Sequence, residues 1–360
     1  MENSSPRATA TAQSSQNASS IAKNYGVFIA LAFGISWLIW ILALRLGAGP
    51  GKGEEILAFG SVGPALAAIL LSRSGRKSPT VSRPTRLLWF GPLWMLCWAI
   101  YMLSESMRGA LPTSPWRFRF VVALLAAIPA WIGSGAFSSD AGVRDLLRTL
   151  IPSRNWRWPA VALLSFPAIL LIPSAILHAF GFRLVWPQAR GSVWILLASG
   201  ALMFLRNLFF TAFFEEPGWR GYLLPHLQRK FSPLIASVLV WLPWAVWHAP
   251  LDFTGGVGRS LVSYVQVRVI FFIPIAIIMT WLYNRSGGNI LSTAIFHAGM
   301  NTFPFILPYA APALGLIFVW AGYAIIAEKM WRRRGPGVQV DADAYASATA
   351  DRTPLPRTPS

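Results

Sequence analysis

The sequence predicts an all-α fold, a polytopic transmembrane helical bundle of about 8–10 spans. Three features predict it. The 360 residues are 55% hydrophobic and 12% charged, with 23 Phe and 18 Trp, and a soluble chain of that composition could not cover its own surface. Apolar runs of about 20 residues recur along the chain, the length a helix needs to cross a hydrocarbon core. Lys and Arg gather between alternate runs, the pattern that orients membrane proteins.

Residues 1–24 are rich in Ser, Ala, Thr and Gln. Such a stretch buries too little apolar surface to offset its ordering entropy and is expected to be a disordered tail. The first run, Gly26 to Leu46, starts too late and runs too long for a signal-peptide core and lacks a small-residue cleavage site, so it is expected to stay in the membrane. Runs near 55–72, 86–104, 119–137 and 158–180 complete an N-terminal set of transmembrane helices over 25–190. A second block over 191–330 holds runs near 192–214, 233–250, 265–284, 289–307 and 308–328. Pro304 and Pro308 separate the last two, which read as a short or broken helix and a further one. In the stretch 140–155, Val143, Leu146, Leu147 and Leu150 alternate with Arg144 and Arg148, the pattern of a short amphipathic helix on the membrane surface. Residues 331–360 are basic and polar and are expected to be a second disordered tail.

Ten spans return both termini to one side of the membrane. That side carries 19 Lys and Arg against nine on the other, which predicts a multi-pass protein of the cell membrane with both termini in the cytoplasm. The net charge of +18 is then largely topological, with a secondary attraction to anionic lipid. The basic residues are spread between apolar runs rather than gathered on one face, so the expected partner is the lipid bilayer and not nucleic acid. The single cysteine, Cys97, excludes a disulfide framework and a multi-thiolate metal site. GAGPGKG at 47–53 fails the P-loop pattern, because Gly53 follows Lys52 and position 46 is Leu.

Of the 13 acids, only Glu215 and Glu216 directly continue an apolar run, LMFLRNLFFTAFF. Ionised carboxylates are costly there unless paired, hydrated or protonated; the plainer alternative is a helix end whose carboxylates reach the headgroups. Arg220 lies four residues beyond Glu216, so on a helix the two meet as an ion pair, while Glu215 points about 100° away and stays available. Pro217 leaves two readings open: a disturbed continuous helix, or a new helix with the proline in its first turn. His248 ends the run LIASVLVWLPWAVWH, and His297 precedes Asn301 by one helical turn in NILSTAIFHAGMN. A lone buried His is more often a packing residue, and His178 and His226 are read that way. Two His, an Asn and a free Glu from separate segments form the converging set that acid–base catalysis requires.

EEPGWRGYLLPHL matches the E-E-x-x-x-R motif of the CPBP family of intramembrane proteases, which includes the CAAX prenyl endopeptidases and the Abi-type bacteriocin-processing and self-immunity proteins. WAVWH at 244–248 is similar to the family's F-x-x-x-H, and HAGMN at 297–301 to its H-x-x-x-N, in the family's order and over roughly 192–310. The departure is Trp244 in place of Phe, expected to affect pocket shape rather than chemistry. The resemblance implies an intramembrane endopeptidase with its active site among the helices of the C-terminal half. In it Glu215 is the general base, His248 helps hold and polarise the water, and His297 and Asn301 donate hydrogen bonds to the oxyanion. Glu216 and Arg220 form a structural ion pair.

Two chemistries stay open. Glu215, His248 and His297 offer the donors of a catalytic Zn site with an open fourth position; the resemblance also allows a metal-free glutamate mechanism, and no H-E-x-x-H helix is present. The implied substrate is a peptide or membrane-protein segment, lipidated or not. Two other classes of function compete. A proton-coupled transporter would also bury Glu, Arg and His, but residues 1–190 hold no second E-E-x-x-x-R. A non-catalytic scaffold or bacteriocin-immunity factor of the same fold would not need the intact set. Other intramembrane protease classes fit less well: Ile132-Gly133-Ser134-Gly135 lacks the leading glycine of a rhomboid-type site, and no G-x-G-D is present.

Overall fold

Inside hydrocarbon a backbone must satisfy its own polar groups, and a helix does so within one segment. The computed structural model describes residues 6–48, 54–76, 83–107, 115–152, 155–184, 192–253 and 260–333, and among them it contains helices and no strand. In chain order these are α1 (Pro6–Arg45), α2 (Glu54–Gly60), α3 (Gly63–Ser72), α4 (Arg83–Met107), α5 (Pro115–Ser134), α6 (Ala141–Arg148) and α7 (Arg157–Ala179). The second half adds α8 (Val193–Gln228), α9 (Pro233–Trp247), α10 (Ala249–Phe253), α11 (Leu261–Arg285), α12 (Ile290–Met300), α13 (Phe303–Ile306) and α14 (Leu316–Ala327).

Six helical segments are long and apolar enough to cross a membrane: Asn24–Arg45, Pro84–Met107, Phe118–Phe137, Arg157–Ala179, Val193–Gln228 and Leu261–Arg285. Three shorter apolar ones, Ile56–Ser72, Pro233–Trp247 and Ala311–Ala327, account for most of the other runs. The run at 289–307 divides into α12 and α13, with Pro304 in the first turn of α13. At 11 residues α12 is about 16 Å long, too short to span, and it stands inside the bundle against α7 and α11.

The backbone of the N-terminal stretch is helical from Pro6 onward. It prolongs the first span, and extending an existing helix needs no new nucleus. The expected C-terminal tail lies outside the described residues from 334 onward. The amphipathic helix is α6, capped by Asp140, whose side chain accepts from the Val143 amide. Its apolar face is taken up by protein: Val143 and Leu147 are buried, and a Cβ on Gly135 would overlap Leu147. The turn after it accepts two hydrogen bonds from the start of α12, Leu291 N to Thr149 O at 3.1 Å and Asn289 Nδ2 to Ile151 O at 3.2 Å.

The bundle is apolar outward and polar inward. Leu87, Leu88, Leu164, Ile172 and Val319 are exposed, whereas Glu215, Glu216, Arg220, Asp252 and His297 are buried; that inversion suits a protein whose solvent is lipid. Small residues let helices approach where the polar groups collect. Ala65, Ala67 and Ala68 of α3 are fully buried, and a Cβ on Gly218 of α8 would overlap the backbone of Pro64.

Candidate active site

Helix α8 carries the acids through two widened turns. Its hydrogen-bonding changes to π-type over Leu208–Ala212 and again over Pro217–Leu223, with Glu215 and Glu216 on the α-helical turn between. Pro217 neither breaks the helix nor starts a new one. It lacks an N–H and crowds the carbonyl four residues back, and the wider turn lets the chain continue past it.

Helix α9 brings up the second group, and its own proline is answered from far along the chain. Pro243 leaves the carbonyl of Leu239 without its helical donor, and the Tyr25 hydroxyl of α1 donates to that carbonyl at 3.4 Å. At the helix end, the carbonyls of Trp247 and Ala245 accept from Trp37 Nε1 at 2.9 Å and from the Tyr264 hydroxyl at 2.9 Å. Orphaned carbonyls in a bilayer are costly. These three bonds hold the end of α9 between α1 and α11.

His248 is the C-cap of α9. Its Nδ1 lies 2.7 Å from the Trp244 carbonyl. A carbonyl only accepts, so Nδ1 carries the hydrogen. His297 on α12 is arranged similarly, with Nδ1 donating to Glu216 Oε1 at 2.8 Å. A carboxylate behind an imidazole fixes both its tautomer and its orientation.

Glu216 is fully buried and receives Arg220 Nη1 at 2.9 Å on the same oxygen that receives His297. The Arg220 guanidinium lies over the Trp244 ring, 4.3 Å from its centroid. Glu215 takes its hydrogen bond from elsewhere: Trp244 Nε1 donates to its Oε2 at 2.8 Å. The Trp244 ring also stacks on Phe272 with centroids 4.4 Å apart and stands 5.7 Å from the His297 ring and 6.0 Å from that of His248. Glu215, Arg220, His248 and His297 therefore surround one indole, and Glu216 joins Arg220 to His297.

Asn301 is the C-cap of α12. Its carbonyl accepts from Asn207 Nδ2 at 3.2 Å, and the same amide donates to Thr302 Oγ1 at 2.9 Å. Among the described residues the Asn301 side-chain amide makes no hydrogen bond, so it is available to a ligand. The sequence signal for Asn207 is an amide inside the apolar run LMFLRNLFF. His178 and His226 are satisfied locally, by Phe182 O at 3.2 Å and Tyr222 O at 2.6 Å.

Two imidazole nitrogens and a carboxylate are donors that zinc accepts. Among the described residues, however, no three His, Cys, Asp or Glu side chains converge closely enough to hold one ion.

Residues 196–303 match the family described as Rce1-like, type II CAAX prenyl endopeptidase. The chain is also 28% identical over 184 residues, 49% of its length and 67% of the relative's, to "CAAX prenyl protease 2" of Methanococcus maripaludis. Over that segment the chain is similar to CAAX prenyl endopeptidases. The matched segment runs from α8 to α13 and contains the whole indole-centred cluster. The chain is thus a multi-pass membrane protein, with most of its buried charges gathered in the matched segment.

Proposed function

We propose that the chain hydrolyses a peptide bond at the indole-centred cluster, with Glu215 as general base. One observation carries the proposal: two carboxylates sit on one buried helical turn, and they are held differently. Glu216 is committed to Arg220 and His297, whereas Glu215 is engaged on Oε2 by Trp244. A water placed between Glu215 and His248 Nε2 attacks the carbonyl carbon and gives its proton to Glu215. His297 and Asn301 donate to the oxyanion, His297 through Nε2–H when doubly protonated, with Glu216 as its counter-charge. The tetrahedral intermediate then collapses. The carbonyl re-forms, the C–N bond breaks, and Glu215 passes its proton to the leaving nitrogen, yielding a carboxylic acid and an amine, which exchange a proton to become carboxylate and ammonium. No step is routed through a metal.

The similarity to CAAX prenyl proteases supports a peptide or membrane-protein substrate, lipidated or not. The excess of Lys and Arg on one side supports cytoplasmic termini. The test is cleavage by purified full-length protein of lipidated and unlipidated peptides, comparing wild type with Glu215→Gln and His248→Ala, each with and without a chelator. Cleavage that falls at least about 100-fold in Glu215→Gln, with unfolding unchanged, is the expected result. A folded Glu215→Gln as active as wild type would sink the proposal, and loss on chelation alone would assign the water to a metal.

A further inference from the structure

The family pattern has phenylalanine where this chain has Trp244, and the exchange adds one donor to the site. An indole keeps the aromatic face that covers Arg220 and stacks on Phe272; its N–H, which no phenylalanine has, is spent on Glu215 Oε2 at 2.8 Å. We propose that Trp244 is the positioning residue of the base. By holding Oε2 it makes Oε1 the oxygen that takes the proton from water. This rests on the reading of Glu215 as base.

A carboxylate turns readily about its terminal torsion, which has broad minima, so its two oxygens are equivalent until something distinguishes them. The Trp244 N–H does so from a fixed place. Its ring is packed between Phe272 and Arg220, and its helix is held by Tyr25, Trp37 and Tyr264. Glu215 is buried, so bulk water does not compete for the bond. The Trp244 main chain holds the partner group as well, since its carbonyl takes His248 Nδ1–H. One residue thus presets both atoms that would hold the water, Glu215 Oε1 through its side chain and His248 Nε2 through its backbone.

The experiment compares Trp244→Phe with replacement of Trp244 by 3-benzothienylalanine, which keeps the two-ring shape and has sulfur in place of N–H. Both are made in the full-length chain and assayed on a peptide that wild type cleaves. The expected result is a fall in kcat of about 10- to 100-fold in both variants with KM within about twofold, because the lost hydrogen bond belongs to the base and not to the substrate. Wild-type kcat in the benzothienyl variant overturns the proposal even if Trp244→Phe is slow, since ring packing would then be what matters. Active wild type, inactive Glu215→Gln and unimpaired Trp244 variants would sink this inference alone. An active Glu215→Gln would sink the base assignment beneath it. Difference infrared spectra, wild type minus Glu215→Gln, read the bond without turnover: the Glu215 carboxylate stretch should shift in the benzothienyl variant, and an unshifted band refutes the contact.

Discussion

Helix α8 carries a half-buried and a fully buried arginine that meet carboxylates in different proportions. Around Arg206 one carboxylate answers one guanidinium: Nη1 bonds Glu105 of α4 at 2.5 Å, Nη2 bonds the Tyr101 hydroxyl at 3.2 Å, and the guanidinium covers the Tyr101 ring. Among the described residues Asp252 likewise pairs with Arg268, at 2.7 Å. Around Arg220 there are two carboxylates, and the second, Glu215, bonds an indole instead. The difference teaches what separates holding from reacting in a low dielectric. A matched pair neutralises itself and fixes two helices, whereas a surplus carboxylate beside it is tolerated only with special solvation and remains chemically usable.

The strongest way to break this comparison is to unmatch each pair. Glu216→Gln and Arg220→Met each leave a fully buried charge without its partner and should destabilise the protein by about 3–5 kcal/mol, read by equilibrium unfolding in mixed micelles. Arg206→Met should cost less, about 1–3 kcal/mol, because that pair is partly exposed, with 19% of the arginine side chain accessible. The folded Arg206→Met protein should keep the wild-type kcat. Equal stability losses at the two arginines, or a catalytic defect in folded Arg206→Met, would erase the distinction.

Much of this arrangement was legible in the chain. The span of Asn24–Arg45, the pairing of Glu216 with Arg220 four residues on, and the approach of His297 to the acids all follow from local periods or from the high cost of isolated charge in lipid. What was not legible is non-local. No period in PGWRGYL announces a π-type turn. Nor does the spacing between Glu215 and Trp244 show that an indole N–H ends on Oε2 across 29 positions, so Trp244 read as a matter of pocket shape alone. The span count was blurred for another reason. Inside a bilayer, a buried short helix such as α12 and a lipid-facing span have the same apolar composition.

A smaller effect sharpens the view that the site's precision comes from the backbone around it. The Tyr25 hydroxyl answers the Leu239 carbonyl that Pro243 leaves open. Tyr25→Phe should cost about 1 kcal/mol in the wild-type background and close to nothing after Pro243→Ala, which restores the helical donor. A double-mutant cycle measures the coupling. Equal losses in both backgrounds would show that the hydroxyl acts elsewhere.

The smallest effect lies outside the spans, where a carboxylate has neither arginine nor indole and is satisfied by backbone. Asp140 caps α6 and accepts the amides of Val143 at 3.1 Å, Ser74 at 3.3 Å and Gly75 at 3.0 Å, tying the turn after α3 to the start of α6. Its slight burial alone would raise its pKa, but the hydrogen bonds from Val143, Ser74 and Gly75 outweigh that and hold the carboxyl below its ordinary value. With the folded pKa depressed, its contribution is fully present above the unfolded carboxylate pKa, about 3.9, and is lost as pH falls through the lower folded value. Asp140→Ala should therefore cost about 1 kcal/mol near neutral pH, typical of a lost cap, and the gap to wild type should close in acid. A gap that stays constant down to pH 2 would mean that the cap acts by shape rather than charge. The membrane-buried pairs would then differ from it in kind as well as in partner.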